Sequence, residues 1–153
     1  MSGSTIRRGR ALGLDLGTRR IGIAVSDSAG TLALPRATFH RTADAEGDRR
    51  RLVELIVEEE AVVVVVGLPL SLDGSLGRAA LSASDEAAAL RAVLEEHQVD
   101  VELFDERLTT VTAHQALAEG GTRARERRHL VDQAAAAVML TAWLESRSGR
   151  KPS

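Results

Sequence analysis

The sequence predicts an α/β domain: a mixed five-stranded sheet, with an antiparallel meander of three strands followed by two parallel strands, flanked by helices. Three observations predict it. The first forty residues hold three β-like segments joined by turns too short for a helix. Beyond residue 47 the apolar period changes to helices alternating with strands. Residues 61–66, AVVVVV, are apolar without alternation, as in a parallel strand covered on both faces.

The elements follow in order. Residues 10–16, RALGLDL, read as a strand ending at Gly17, and residues 17–20 are a hairpin-length connection. Residues 21–26, IGIAVS, form the second strand and residues 31–39 the third, where Pro35 implies a sheet edge. Residues 48–60 are helical, with Leu52, Leu55 and Ile56 at helical spacing. A second helix covers 78–97 and a further strand 99–104. Helices at 108–118 and 130–145 are joined by a polar Gly/Arg loop, 119–128. Residues 10–146 read as one domain, and the Ser/Gly/Arg/Lys-rich segments 1–9 and 147–153 as flexible termini.

Composition removes several function classes. The chain has no cysteine, which excludes disulfides, zinc–thiolate sites, iron–sulfur clusters and a thiol nucleophile. No apolar run approaches the ~20 residues of a membrane span, and no signal-peptide core follows the N-terminal arginines, so a cytoplasmic protein is expected. A net charge of −2 is not that of a bulk nucleic-acid coat, although a local basic patch is compatible with it.

In open α/β sheets the working site lies at the carboxyl ends of the strands. Acids from three segments of the chain fall there. Asp15 ends the first strand on a face shared with Ala11 and Gly13, where a buried carboxylate needs a partner. Asp105 and Glu106 follow directly on the strand VELF. Asp132 is expected to open the last helix, on the same face as Ala135, Ala136, Met139 and Trp143, and so toward the sheet. Each has a plain structural alternative: a turn cap, a local Glu–Arg pair, and an acid favoured by a helix dipole. Converging, oxygen ligands without Cys or His select a hard cation, Mg²⁺ or Mn²⁺, and two such ions suit phosphodiester cleavage.

Four segments, GLDLGTRRIGIAVSD (13–27), VGLPLSLDGS (66–75), FDERLTT (104–110) and VDQAAAAVML (131–140), together resemble the YqgF (RuvX) family. These RNase H-like proteins are described as pre-16S rRNA nucleases and are related to Holliday-junction resolvases. The resemblance runs from about residue 10 to residue 145. It implies an RNase H-like fold and a metal-dependent endonuclease, a hydrolase of ester bonds, trimming the 5′ end of pre-16S rRNA during ribosome biogenesis. It also implies catalytic and metal-binding roles for Asp15, Glu106 and Asp132, around a divalent ion, Mg²⁺ or Mn²⁺, and two such ions at a full site. The basic residue that helps the final acid is left open between Arg128 and His129.

Nucleic-acid contacts are expected from Thr18, Arg19 and Arg20 on the first hairpin, from Arg107, and from Arg123, Arg125 and Arg128 in the basic loop. Backbone amides of residues 67–71 are expected at the site floor. With only Phe39, Phe104 and Trp143 as aromatics, base stacking is a poor main binding mode. Three other readings stand beside the rRNA nuclease: a resolvase of four-way DNA junctions, a non-catalytic RNA-binding assembly factor, and a phosphotransferase suggested by the DLGT run. The last needs two such domains to enclose ATP. The sequence leaves monomer and homodimer open.

Overall fold

The structure, a computed structural model, describes residues 9–109 and the helix 124–147, with the side chains of 124–129 excepted. Strands β1 (Arg10–Leu16), β2 (Arg20–Ser26) and β3 (Ala33–His40) form the antiparallel meander. Helix α1 (Ala45–Glu58) leads to β4 (Ala61–Leu68), and α2 (Arg78–Leu94) to β5 (Asp100–Asp105). Helix α3 (Ala124–Arg147) closes the described chain. The sheet order is β3-β2-β1-β4-β5, with β4 parallel to β1 and to β5. The expected mixed five-stranded α/β sheet is therefore present.

Alternation along the strands divides the core into two layers. Leu12, Leu14, Ile21, Ile23, Val64 and Val66 pack under α1 and α2, against Leu52, Ile56, Ala87 and Leu90. Ala11, Ala24, Val63 and Val65 pack under α3, against Ala136, Met139, Leu140 and Trp143. Burying one such aliphatic side chain contributes about 1.5–3 kcal/mol, so these two layers dominate the stability of the sheet. Among the described residues no helix is long and apolar enough to cross a membrane.

Three boundaries differ from the sequence reading. Helix α1 starts at Ala45, because the Asp44 side chain accepts from the Gly47 amide at 2.9 Å and caps a first turn that Gly47 disguises. Helix α2 ends at Leu94, and a 3₁₀ turn (Glu95–His97) reaches Gln98, whose φ of +58° terminates it. The largest difference is α3. Its backbone is helical from Ala124, so residues 124–128 are not loop and Asp132 does not open the helix. The segment ARERRH has no apolar stripe, but Ala, Arg and Glu are strong helix formers, and propensity extends the helix where periodicity is silent. Of the expected helix 108–118, Leu108 ends a 3₁₀ turn (Glu106–Leu108) and Thr109 is extended; residues 110–123 lie outside the described residues.

Candidate active site

The face covered by α3 collects the residues of interest. With Leu12 and Leu14 turned under α1 and α2, alternation sends Asp15 to the α3 side of β1. On β2, Ile21 and Ile23 turn away and Arg20, Gly22 and Ala24 face α3; on β4, Gly67 continues the row of Val63 and Val65. Gly22 is the register partner of Asp15, and Gly67 follows the Leu14–Val66 pair on the other side of β1. Asp15 is thus flanked by two glycines.

Each glycine makes room for one acid. Glu106 is the first residue of the turn after β5, and its side chain lies across Gly67: a Cβ there would stand 2.8 Å from Glu106 Oε1 and 3.0 Å from its Cδ. Helix α3 crosses over Gly22, where a Cβ would stand 3.2 Å from the Asp132 Cα and overlap the Asp132 carbonyl. A glycine inside a strand marks such close approaches.

Glu106 and Asp15 are hydrogen-bonded carboxyls. Burial first, and then the Asp15 charge, push the Glu106 carboxyl up to about 8. At neutral pH the pair therefore keeps a proton between its two carboxyls. Asp132 points elsewhere: Arg20 Nε donates to its Oδ2 at 2.5 Å, with both side chains about a quarter exposed, at 27% and 24%. Among the described residues no group of three or more His, Asp or Glu side chains is placed to hold a metal ion. The structure brings Asp15 and Glu106 together and gives the Asp132 carboxylate to Arg20.

The other expected contact residues are distributed as follows. Thr18 and Arg19 are exposed on the β1–β2 turn, which the Gly17 amide closes onto the Arg20 carbonyl at 2.9 Å. Arg107 is engaged within the protein: Nε lies 3.0 Å from both Asp105 carboxylate oxygens, Nη2 2.7 Å from Oδ2, and Nη1 3.3 Å from the Leu72 carbonyl. It ties β5 to the β4–α2 loop, whose expected turn is present, with Gly74 at φ +86°. In that loop the amides of Leu70 and Ser71 are taken by the carbonyls of Leu68 and Ser75, so neither faces a ligand. Arg125 and Arg128 lie on the α3 backbone, and Arg123 lies outside the described residues. Sequence reasoning missed Gly22, and it placed Gly67 at the site floor for its amide rather than for the room it leaves Glu106. Their signal was a glycine interrupting an apolar strand.

Two measurable consequences follow. Glu106 binds a proton in the folded state that it loses near 4.5 when unfolded. Stability from this group is complete below about pH 4.5 and falls as pH rises to about 8, by at most about 1.4 kcal/mol per unit. The carboxyls of Asp27, Asp48, Glu59 and Asp105 are held low by hydrogen bonds and arginines, so their loss of stability comes at more acid pH. Urea midpoints should therefore decline between pH 5.5 and 8, and Glu106→Gln should flatten the decline. The second consequence concerns Gly67→Ala. The nearest atoms to the new methyl are the Oε1, Cδ and Cγ of Glu106, a side chain that can swing away, with no backbone among them. Activity should fall at least about tenfold, as expected for a displaced reacting group, with a stability change below about 1.5 kcal/mol. Rate and melting temperature measured on one preparation check both halves.

The chain matches other proteins along nearly its whole length. A family model described as RuvX, Holliday junction resolvase, matches residues 9–146. A relative from Rhodococcus opacus, named a candidate pre-16S rRNA nuclease, is 46% identical over 144 residues, covering 92% of this chain and 80% of that one. A Mycobacterium ulcerans relative of the same name is 48% identical over 140 residues, covering 92% and 81%. Among solved structures, Thermus thermophilus RuvC in complex with Holliday junction substrate aligns with a TM-score of 0.60 at 16% identity, covering 92% of this chain and 96% of that one. The fowlpox virus resolvase in complex with Holliday junction DNA aligns with a TM-score of 0.57 at 11% identity, covering 90% and 98%. These two likenesses show the resolvase-like fold. The family model and the relatives' sequences place the chain in the RuvX family, described as Holliday junction resolvase.

Proposed function

We propose that the protein is a metal-dependent endonuclease that hydrolyses phosphodiester bonds near the 5′ end of pre-16S rRNA, with residues 10–146 as the working unit. The observation that carries this reading is the Asp15–Glu106 pair at the carboxyl ends of β1 and β5, where ligands of parallel sheets bind. Two abutting carboxyls, one forced to keep its proton, are a poor resting arrangement and a good cation site. A divalent ion would relieve both the burial and the repulsion that raise Glu106. Oxygen ligands without thiols fit Mg²⁺ or Mn²⁺.

Asp15 and Glu106 would hold the ion, and the pair would give up its shared proton on binding one. The ion, when bound, supplies a Lewis acid that activates water and offsets charge on the leaving oxygen. Asp132 stands over the same glycine floor and becomes available as a further ligand when Arg20 releases it. Arg20 is then free to face a phosphate. Thr18 and Arg19 on the exposed turn orient the strand entering the site, and Arg107 holds the β4–α2 loop beside Glu106. The names of the relatives support rRNA as substrate.

A second reading, a resolvase cutting four-way DNA, is favoured by the family description. A precursor rRNA fragment and a four-way DNA junction, each incubated with Mn²⁺, Mg²⁺ or chelator, separate the two. Metal-dependent trimming of the RNA is the expected result. Paired symmetric incision of the junction, with the RNA intact, would transfer the function to DNA. Cleavage of neither, with metal-independent RNA binding, would leave an assembly factor.

A further inference from the structure

We propose that Arg41 and Arg19 form a docking surface for nucleic-acid backbone phosphates at the end of the β2–β3 hairpin. The inference rests on the nuclease reading and adds to it where the polyanion runs once it leaves the site. The β2–β3 ladder pairs Arg20 with His40, and the Arg41 amide donates to the Arg19 carbonyl at 2.8 Å, extending that ladder by one step. Arg19 and Arg41 are therefore neighbours at the end of the hairpin. Arg20 is the next residue, and Arg20 holds Asp132 over the site floor.

These two arginines differ from those around them. Arg10, Arg20, Arg36, Arg49, Arg51, Arg107 and Arg147 each form an ion pair with a carboxylate. Among the described residues Arg19 and Arg41 form none, as is also true of Arg50, Arg78 and Arg91, but only Arg41 has a buried side-chain donor without an acceptor. Arg19 is exposed, while Arg41 is half-buried and its Nε–H is sealed from water without an acceptor. A buried donor left unpaired is costly, and guanidinium is the side chain best shaped to grip phosphate in a fork. The acids nearest in sequence do not supply an acceptor. Asp44 caps α1 through the Gly47 amide, and Asp48 is taken by the amide and hydroxyl of Thr42 and by Arg51. An external anion is what this corner lacks. Because Arg41 Nε gives up no hydrogen bond when it moves, re-aiming its guanidinium toward a phosphate forfeits nothing at that atom.

The test is binding of a labelled 20-nucleotide single-stranded RNA and a labelled four-way DNA junction in chelator, across a salt series. Arg41→Gln and Arg19→Gln should each weaken binding at low salt and reduce the slope of log K against log salt by about 0.7 to 0.9. Arg41→Lys, which keeps the charge, should restore the slope. The melting temperature of Arg41→Gln should equal that of wild type, since no Nε partner is lost. Loss on both probes supports a site for the shared phosphodiester backbone; loss on RNA alone supports it for RNA. If wild type binds and both Gln variants keep its slope, the docking surface is wrong while the nuclease reading stands. If wild type binds neither probe, the docking surface is wrong, and the cleavage test above decides the nuclease reading separately.

Discussion

Asp15→Asn is expected to lower metal-dependent cleavage by at least about 10³-fold, the loss typical of removing one strong electrostatic contributor from a reacting centre. It should also change the protein in a way unrelated to turnover. The Asp15 charge is the second cause of the raised Glu106 carboxyl, after burial. Without it, Glu106 should titrate closer to the ordinary carboxyl range, and the loss of stability between pH 5.5 and 8 should shrink but not vanish. Calorimetry should show weaker Mn²⁺ binding. The three readings separate two failures. Full cleavage with an unchanged pH profile would place the active site elsewhere. Lost cleavage with an unchanged pH profile would mean that Asp15 and Glu106 are not coupled in solution.

Gly22→Ala should do more harm than any other small substitution in the sheet. The methyl collides with the backbone of α3 at Asp132, which cannot rotate aside as a side chain can. Overpacking against backbone costs about 3 kcal/mol, the upper end for an inserted methyl, and a chain of this size then melts about 6–12 °C lower. Helix α3 can escape only by sliding, which carries Asp132 and its Arg20 partner out of register. Gly67→Ala on the neighbouring strand forms the matched control, because there the obstacle is a flexible carboxyl. A melting temperature unchanged in Gly22→Ala would mean that α3 does not sit tightly on β2.

Much of this was legible in the sequence, for physical reasons. The strand alternation of Leu12 and Leu14 fixes which side Asp15 takes, and the unbroken run at 61–66 marks a strand covered twice. Short turns fix the antiparallel start. What periodicity could not reach was set by contacts between distant segments. The first turns of α3 carry charge without a stripe, so the start of that helix was hidden. The side-chain direction of Asp132 is decided by Arg20, 112 residues away. The unpaired Nε of Arg41 follows from where Thr42 and Arg51 send Asp48, which no local pattern records.

The order in which these parts leave the ribosome matters. Helix α3 is the last described element, yet it covers Ala11, Ala24, Val63 and Val65 and carries Asp132. A nascent chain that has emerged only through the turn after β5 already holds Asp15 and Glu106, but with one side of its sheet bare. Such a chain has no lid over its reactive corner and a sticky apolar surface, which chaperones would recognise. Competence to cut would therefore arrive late in synthesis, as the closing helix docks and brings Asp132 over the sheet.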